Sequence, residues 1–375
     1  MTNTTKRWSR LAAHGLVVVL AWLSAWSVNA ASHESNLEKS FQVGGRPRFN
    51  LDADRGSVEL RVGDAAEIQV KVEREVTGGT AAQAREIFAA HEVNFDQDGT
   101  AVSVRARLNR EEKLRGRRQP RLQVRFVITL PAACDLDLKT AAGNIKGANH
   151  AGEVRARTAG GDIEFGEIRG SFEAVTAAGS IHCAGVSGAV TAKTSGGNLR
   201  MGHLEQAATL ETAAGSISVK RVGGKLRART LGGNIDAGEL LGPAILETSA
   251  GSITVLTAHA QFEAKTSGGN LDLRDLRNAV TAGTSAGSIK ATFTAQPEGD
   301  CRLTTSTGNI EVRLDSELAF DLDARASAGR VRTELPVTAT VVGEPRADQL
   351  QGKINGGGPA LILKTSAGSI GLRNR

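Results

Sequence analysis

The chain has 375 residues, of which 40% are hydrophobic and 23% are charged, and its formal net charge is +6. Its three tryptophans all lie within the first thirty residues and it has no tyrosine, so phenylalanine is the only large aromatic residue in the rest of the chain. Aromatic platforms for stacked nucleobases, each worth about 1 to 3 kcal/mol, are therefore scarce, and we predict no nucleic-acid partner.

The first thirty residues have the pattern of a secretory signal. Lys6, Arg7 and Arg10 precede an apolar stretch over residues 11–28, and small residues stand where a signal peptidase would cut, after Ala30. We therefore expect a cleaved signal peptide and an exported protein in the periplasm, at the cell surface or in the medium. An uncleaved membrane anchor is the alternative, because the apolar stretch approaches spanning length. After cleavage the formal net charge would fall to +3, too little for a general polyanion-binding surface.

Residues 31–130 are predicted to form a β-rich cap that contains one short helix. Apolar alternation predicts strands near residues 57–61, 67–76, 101–108 and 122–130. Thr80 and Gln83 form a capping box ahead of an apolar helical face. We expect this region to close the array that follows, because an open sheet end exposes unpaired strand edges.

A basic segment separates the last two of these predicted strands. Residues 105–125 carry nine cations against only Glu111 and Glu112, while the rest of the exported chain sums to about −4. The nine cations are Arg105, Arg107, Arg110, Lys113, Arg115, Arg117, Arg118, Arg121 and Arg125. Because clustered arginines suit phosphate and carboxylate geometry, we predict that they bind an anionic partner such as envelope lipid or acidic polysaccharide. A solvated hairpin tip is the alternative.

An 18-residue repeat fills residues 131–375. The unit Thr140-Ala-Ala-Gly-Asn-Ile145 recurs with threonine at positions 158, 176, 194, 212, 230, 248, 266 and 284, and weaker copies begin at residues 305, 326 and 365. Apolar residues alternate on both sides of the threonine, as in strands, and the glycine three residues after it is expected to turn the chain at positive φ. This predicts an all-β fold, a β-solenoid of 18-residue rungs in the form of a right-handed parallel β-helix.

The charges just before each threonine predict how the rungs stack. These outward residues alternate in sign at intervals of 18 residues, as Lys193, Glu211, Arg229, Glu247 and Lys265. In-register parallel rungs roughly 4.8 Å apart would bring opposite charges together, whereas an antiparallel meander would not. Residues 332–352 are predicted to be an insertion before the final rung that shields that end of the stack.

The repeat units resemble a bacterial "putative adhesin" β-strand repeat family, a domain of unknown function. The resemblance is carried by units such as Thr176-Ala-Ala-Gly-Ser-Ile181 and Thr194-Ser-Gly-Gly-Asn-Leu199, by the entry segment 126–131 and by the closing segment 354–361. It implies an extracytoplasmic β-solenoid, and no catalytic residues come with it.

Catalytic, metal and cofactor sites are not predicted. A polysaccharide-cleaving β-helix enzyme needs carboxylates that converge on one face, but the outward column six residues after each threonine alternates opposite charges with neutral groups. That column reads Glu164, His182, Arg200, Ser218, Asp236, Thr254, Asp272 and Lys290. His182 and His203 lack a third zinc ligand, and Asp162 is the only aspartate in the recurring turns, too few for a calcium ladder.

Two function classes remain. The first is a non-catalytic envelope or surface protein, an adhesin-like scaffold that binds a polymer, a partner protein or copies of itself. The second is a periplasmic accessory or sensor module of an envelope-stress system, and a polysaccharide-active enzyme is a weaker third. We predict the first class, because no face of the repeat collects reactive groups.

Overall fold

The computed structural model describes residues 32–64, 66–109, 120–339 and 346–375. The predicted signal peptide, residues 1–30, lies outside them. Within these ranges no helix has the length and apolar character needed to cross a membrane. Strands make up nearly all of the regular structure, as the alternating sequence pattern predicts.

The part of the chain before the 18-residue repeats contributes strands and one helix. These elements are β1 (Ser32–Gln42), β2 (Arg48–Ala53), β3 (Ser57–Val62), β4 (Glu67–Thr77), α1 (Ala81–Ala90), β5 (His91–Asp98), β6 (Ala101–Leu108) and β7 (Arg121–Leu130). Four of the strands match the predicted positions, and β1, β2 and β5 were not predicted. The predicted capping box begins α1, since the Thr80 hydroxyl accepts from the Gln83 N–H and the Gln83 side chain accepts from the Thr80 N–H.

The repeats contribute two short strands per rung. They begin with β8 (Asp135–Thr140), β9 (Ile145–Gly147), β10 (Val154–Thr158), β11 (Ile163–Ile168), β12 (Phe172–Val175), β13 (Ile181–Val186), β14 (Val190–Lys193), β15 (Leu199–Leu204), β16 (Ala208–Glu211), β17 (Ile217–Val222), β18 (Leu226–Arg229) and β19 (Ile235–Leu240). They continue with β20 (Ala244–Glu247), β21 (Ile253–Ala258), β22 (Phe262–Lys265), β23 (Leu271–Leu276), β24 (Val280–Thr284), β25 (Ile289–Phe293), β26 (Cys301–Thr307) and β27 (Ile310–Leu314). The remaining strands are β28 (Phe320–Ala326), β29 (Val331–Thr333), β30 (Val337–Thr338), β31 (Gln349–Ile354), β32 (Ala360–Ala367) and β33 (Ile370–Asn374).

The strands form two long sheets, and each rung gives one strand to each sheet. The first sheet has the order β1-β4-β7-β3-β9-β11-β13-β15-β17-β19-β21-β23-β25-β27-β33-β29. The second has the order β5-β6-β2-β8-β10-β12-β14-β16-β18-β20-β22-β24-β26-β32-β28-β31-β30. All pairings between successive 18-residue rungs are parallel, so the predicted β-solenoid is confirmed.

The predicted register of the charged column is also confirmed. Lys193, Glu211, Arg229, Glu247 and Lys265 stand directly opposite one another in five successive strands of the second sheet. The Lys193 ammonium lies 2.9 Å from the Glu211 carboxylate. Exposed pairs of this kind contribute about 1 kcal/mol or less, so they support the register more than the stability.

The core is a single apolar column enclosed by the two sheets along the whole stack. In the rung that begins at Val154, the inward residues Val154, Ala156, Ile163, Phe165 and Ile168 are all buried. Each fully buried large aliphatic or aromatic side chain contributes about 1.5 to 3 kcal/mol relative to its exposed state. Because this volume repeats every rung, stability grows with the number of rungs.

The recurring threonine ties each rung to the one before it. We call the turn that begins at this residue the threonine corner. The buried Thr212 hydroxyl donates to the carbonyl oxygen of Gly197 in the preceding rung (2.9 Å) and accepts from the N–H of Gly215 (3.3 Å). The same donation to a glycine carbonyl recurs in the other threonine corners. Each hydroxyl therefore satisfies backbone groups that the corner would otherwise bury unpaired.

A second polar ladder, in which asparagine and serine alternate from rung to rung, gives the repeat an additional period of 36 residues. The Asn198 side chain accepts from the Ser216 N–H (2.8 Å), while the Ser180 hydroxyl accepts from the Asn198 N–H (3.2 Å). Asparagine and serine alternate in this way along the corners. Asp162 fills one place in the same ladder and accepts from the Ser180 N–H (2.7 Å), which is a structural role.

The glycine corners differ from the prediction in their backbone conformation. Positive φ occurs at Gly143 (130°), Gly308 (150°) and Gly368 (158°), but not at Gly215 or at the opposite corner, where Gly188 is typical. The prediction of positive φ was therefore wrong for Gly215, and Gly188 at the opposite corner does not adopt it either. Glycine is needed there because successive corners stack in contact. A Cβ atom on Gly215 would overlap the Gly197 carbonyl of the rung below, and one on Gly188 would lie 2.6 Å from the Gly170 oxygen.

The stack begins before the recognisable repeats. β2 and β3 pair in parallel with β8 and β9, so residues 48–62 form a rung in which Ala53 stands opposite Thr140. β6 and β7 form a further rung outside it, and the antiparallel strands β5, β4 and β1 complete this end. The domain boundary at residue 130 stays a prediction, but both sheets run across it.

The last rung in the chain is not the last rung in space. β32 lies between β26 and β28, and β33 lies between β27 and β29, so residues 360–374 are inserted between two earlier rungs. The outermost rung comes from β28 and β29, and β31 pairs antiparallel with the outer edge of β28. The rungs at this end therefore do not stack in chain order. After β31 the chain returns, so that β32 and β33 lie between the rung of β26 and β27 and the rung of β28 and β29.

The three cysteines, Cys134, Cys183 and Cys301, are free and buried, and Cys183 lies between Phe165 and Met201 in one inward column. Burial raises the pKa of the Cys134 and Cys183 thiols to about 12 and that of Cys301 to about 11. We expect no thiol labelling of the folded protein at neutral pH, because thiolate is the reactive form. Unfolding without a reductant should expose three reactive thiols, and fewer than three would reveal a disulfide and contradict the register.

Candidate functional site

The basic segment joins two strands that lie in different sheets. β6 belongs to the second sheet and β7 to the first, so the strands before and after the segment do not pair with each other. Ala106 stands opposite Ala53, which itself stands opposite Thr140. The C-terminal end of β6 therefore lies on the same side of the stack as the threonine corners, at the N-terminal end of their row.

The structure describes four of the nine predicted site residues and places them on two different sheets. Arg110, Lys113, Arg115, Arg117 and Arg118 lie outside the described residues. Arg105 and Arg107 lie on the outer surface of the second sheet, because the alternate residues of β6 are buried. Arg121 and Arg125 lie on the outer surface of the first sheet by the same alternation in β7. The four described arginines thus lie on two different sheets and do not form one cluster.

Two of these four arginines are already paired with carboxylates. The Arg107 guanidinium contacts the Asp52 carboxylate and donates to the Asp52 carbonyl oxygen (2.7 Å). The Arg125 guanidinium contacts the Glu59 carboxylate, and this hydrogen bond, helped by Arg61, holds the pKa of Glu59 below its usual range. Arg107 and Arg125 therefore have structural roles in the two outermost parallel rungs.

Arg105 and Arg121 are exposed and make no ion pair with any residue that the structure describes. They stand where the basic segment leaves β6 and where it enters β7. The described part of the candidate site therefore consists of Arg105 on β6 and Arg121 at the start of β7. Exposed guanidinium groups of this kind bind anions through charge and hydrogen bonds.

The outward column that follows the threonine corners is in register, as the repeat predicts. Glu164, His182, Arg200 and Ser218 stand opposite one another in successive strands of the first sheet. Lys146 lies 3.1 Å from Glu164 at the start of the column. Neighbouring positions along the column carry opposite or neutral side chains, so this column does not assemble a carboxylate pair.

A buried polar cluster lies beside α1 and β5 and was not predicted from the sequence. Arg74 points inward from β4 and is 7% exposed, and its guanidinium donates to the Phe88 and His91 carbonyl oxygens and to the Ser35 hydroxyl. His91 is 2% exposed, and neither ring nitrogen has a hydrogen-bond partner among the described residues. The sequence feature that could have revealed this cluster was Arg74, a charged residue at an inward position of the alternating strand near residues 67–76.

Histidine burial should make the fold sensitive to mild acid. Burial lowers the pKa of His91, and the neighbouring Arg74 lowers it further, with Asp54 and Arg55 the other charged groups that face the ring. Burial also lowers the pKa of His150. Because the unfolded histidines take up protons first as the pH falls below about 6.5, the free energy of unfolding should decrease there by up to about 1.4 kcal/mol per pH unit for each histidine.

Urea unfolding between pH 7.5 and 5 measures this effect. We expect His91→Leu to reduce the slope of stability against pH, since leucine removes the titrating group. His203→Gln, a change at an exposed histidine, is the matched control and should keep the parent slope. An unchanged slope in His91→Leu would show that His91 is protonated equally in the folded and unfolded chains.

Three solved structures are similar to the chain at low sequence identity. A structure described as a putative cell adhesion protein from Clostridium sporogenes is 9% identical, covers 92% of this chain and 100% of its own, and has a TM-score of 0.19. A putative adhesin from Bacteroides fragilis is 13% identical, with 75% and 97% covered and a TM-score of 0.23. A putative lipid binding protein from Parabacteroides distasonis is 12% identical, with 91% and 96% covered and a TM-score of 0.24. At these TM-scores their names describe those proteins alone.

The search of curated proteins found no match to this sequence. The family model of Toastrack DUF4097 matches residues 48–275, which is more than half of the chain, and the match begins at the first residue of β2. It therefore includes the rung of residues 48–62 that the structure adds to the repeat. The chain belongs to the Toastrack DUF4097 family.

Proposed function

We propose that this protein is a non-catalytic, exported envelope or surface protein that binds other molecules through the outer surface of a rigid solenoid. One observation carries the proposal. The recurring polar residues of each rung, such as Thr212 and Asn198, form hydrogen bonds between rungs. The residues that differ from one rung to the next are therefore the outward-facing side chains. A scaffold of this kind displays side chains at fixed spacing and suits binding better than chemistry that needs converging groups.

The contact that we propose is between the basic segment, residues 105–125, and anionic envelope material. Arg105 and Arg121 supply exposed guanidinium groups at its two sides, and the sequence of residues 110–119 adds five cations against two anions. The ion pairs of Arg107 and Arg125 support the rungs at which the segment begins and ends. Anionic groups at a membrane surface attract such segments by about 1 kcal/mol per basic residue.

Binding of the purified exported chain to liposomes that contain phosphatidylglycerol tests the proposal. We expect the parent to bind at low salt and to be released as salt rises, because the Debye length shortens to about 10 Å at 0.1 M. Replacing Arg115, Arg117, Arg118 and Arg121 by serine should abolish binding, since most of the local surplus charge is then lost.

A second variant separates local charge from net charge. Arg200, Lys220, Lys290 and Arg302 are exposed on the solenoid and form no ion pair within the described residues, and replacing these four by serine changes the net charge equally. This control should bind like the parent. Equal loss of binding in both variants would refute the basic segment as the contact site. Binding at the parent level after replacement of Arg115, Arg117, Arg118 and Arg121 would also refute it.

A further inference from the structure

The strand that ends the first sheet at its N-terminal side has an unpaired edge. β1 is the outermost strand there, and its 11 residues pair on one side with β4. No strand within the described ranges pairs with its other side. At the opposite end of the stack the outermost described strands are short, since β29 has three residues and β30 has two. Proteins protect sheet edges by shortening them or by placing proline in them, and β1 has neither feature.

β1 also projects beyond the second sheet. Counted from the rung of β2 and β3, the first sheet adds β7, β4 and β1, whereas the second adds only β6 and β5. The inner face of β1 therefore has no described strand of the second sheet opposite it, and its inward residue Leu37 is only partly buried. A molecule that approaches this end along the axis of the stack meets the edge of β1 first.

We propose that this edge pairs with the same edge of a second copy of the chain, as antiparallel strands related by a two-fold axis at Leu37. Leu37 is the middle residue of Ser32–Gln42, so this register pairs all 11 residues of one β1 with all 11 of the other. Inward residues then stand opposite inward residues, so the two first sheets join into one with their inner faces on the same side. The inference does not use the basic segment and goes beyond the proposed function.

The charges of β1 fit this register, because no two like charges stand opposite each other. The opposed pairs that contain a charge are Glu34 with Ser40, Glu38 with Asn36, and Lys39 with Ser35. Moving the axis by one residue in either direction would bring Glu38 opposite Glu34 or opposite itself, and like charges directly opposite are destabilising. The Lys39 ammonium lies 5.3 and 5.6 Å from the centres of the Phe41 and Phe95 rings, so this charge has partners within its own chain.

The edge of the second sheet at this end does not suit self-pairing. β5 carries three outward acids and neither lysine nor arginine, the acids being Glu92, Asp96 and Asp98. A two-fold axis at Asn94 or Phe95 would place Glu92 opposite one of the two aspartates. In the proposed dimer the two β5 edges are three strand spacings apart, about 14 Å, which exceeds the Debye length of about 8 Å at physiological salt. Pairing through β1 therefore keeps these acids apart.

Substitutions at Ser40 test the register by the sign of a charge. Ser40 is exposed, and its opposite residue within the chain is the uncharged Gln69. Ser40→Glu would place a carboxylate opposite each Glu34, whereas Ser40→Lys would place an ammonium there, and the two-fold axis makes each change act twice. We expect sedimentation of the purified chain starting at residue 31 to show a dimer. Its dissociation constant should rise about 2- to 30-fold in Ser40→Glu and fall by a similar factor in Ser40→Lys.

The matched control places the same charges elsewhere on the stack. Ser249 is an exposed serine of a threonine corner, far from β1. Ser249→Glu and Ser249→Lys change the net charge equally and should dimerise like the parent.

A disulfide across the axis would locate it. The two copies of residue 37 would lie directly opposite, with Cα atoms about 4.5 to 5.5 Å apart, within the range of a bridge. Mild oxidation of Leu37→Cys should therefore give a covalent dimer. In Ser40→Cys the two cysteines would lie six residues apart along the edge, about 20 Å, and should stay free. The native cysteines are buried and should take no part.

A parent chain that stays monomeric at every concentration would overturn the inference. Equal effects of Ser40→Glu and Ser40→Lys would do so as well, as would a covalent dimer from Ser40→Cys and none from Leu37→Cys. If Leu37→Cys does not fold, the two charge substitutions at the exposed Ser40 decide the question. All these outcomes leave the proposed contact with anionic material intact, because they do not involve the basic segment.

Discussion

Replacing Gly215 by valine is expected to lower the stability of the solenoid by about 3 kcal/mol or more. The new Cβ atom would overlap the Gly197 carbonyl group and lie 2.9 Å from the Asn198 nitrogen. These are backbone atoms held by the ladder bonds of the corner, so they cannot move aside without breaking those bonds. The unfolding temperature and the urea midpoint measure the loss, and hydrogen exchange at the Ile217–Val222 strand should locate it.

The glycine at position 232 supplies the matched control. It stands one residue earlier in the next threonine corner, and a Cβ atom there would lie 3.5 Å from the Ala214 oxygen, an ordinary van der Waals distance. Gly232→Ala should therefore change the stability by less than about 0.5 kcal/mol. Similar unfolding temperatures for Gly215→Val and Gly232→Ala would contradict the explanation by stacked corners.

Deleting residues 360–375 is expected to unfold the C-terminal end as far back as β28. The deletion removes four fully buried side chains, Leu361, Leu363, Ile370 and Leu372, whose burial contributes about 6 kcal/mol or more in total. It also removes the strands that connect the outermost rung to the stack. Hydrogen exchange should show lost protection over Phe320–Ala326 and Gln349–Ile354. Full protection there would indicate that the outermost rung packs directly on β26 and β27.

Engineered disulfides in the intact chain test the same order of strands. Arg302 stands opposite Ile362, and Ile362 stands opposite Asp323. Cysteines at positions 302 and 362 should form a bond on mild oxidation, because neighbouring strands place their Cα atoms about 5 Å apart. Cysteines at positions 302 and 323 lie two strands apart, about 10 Å, and should remain free. The opposite result would mean that the rungs stack in chain order.

Much of the fold could be predicted because each rung repeats the same local sequence pattern. The 18-residue spacing of Thr194, Thr212 and Thr230 and the alternating charges of Lys193 and Glu211 determine a parallel register without reference to distant parts of the chain. The buried column that contains Cys183 follows from the same period. The helix at Ala81–Ala90 was predictable for a similar reason, since its capping box is a contact between residues three apart.

Only the tertiary structure decided the order of strands at the two ends and the roles of single residues there. Residues 48–62 and 360–374 join the stack through partners far away in sequence, and a local period does not say which rung lies next to which. Two of the four described arginines are neutralised by carboxylates of other strands, which the charge count of residues 105–125 could not show. The sequence by itself determined the rung and its register, because both depend on contacts that recur every 18 residues. The arrangement of β1, β4, β7 and β3 at the N-terminal end depends on three non-local strand pairings, and these exist only once the chain has folded.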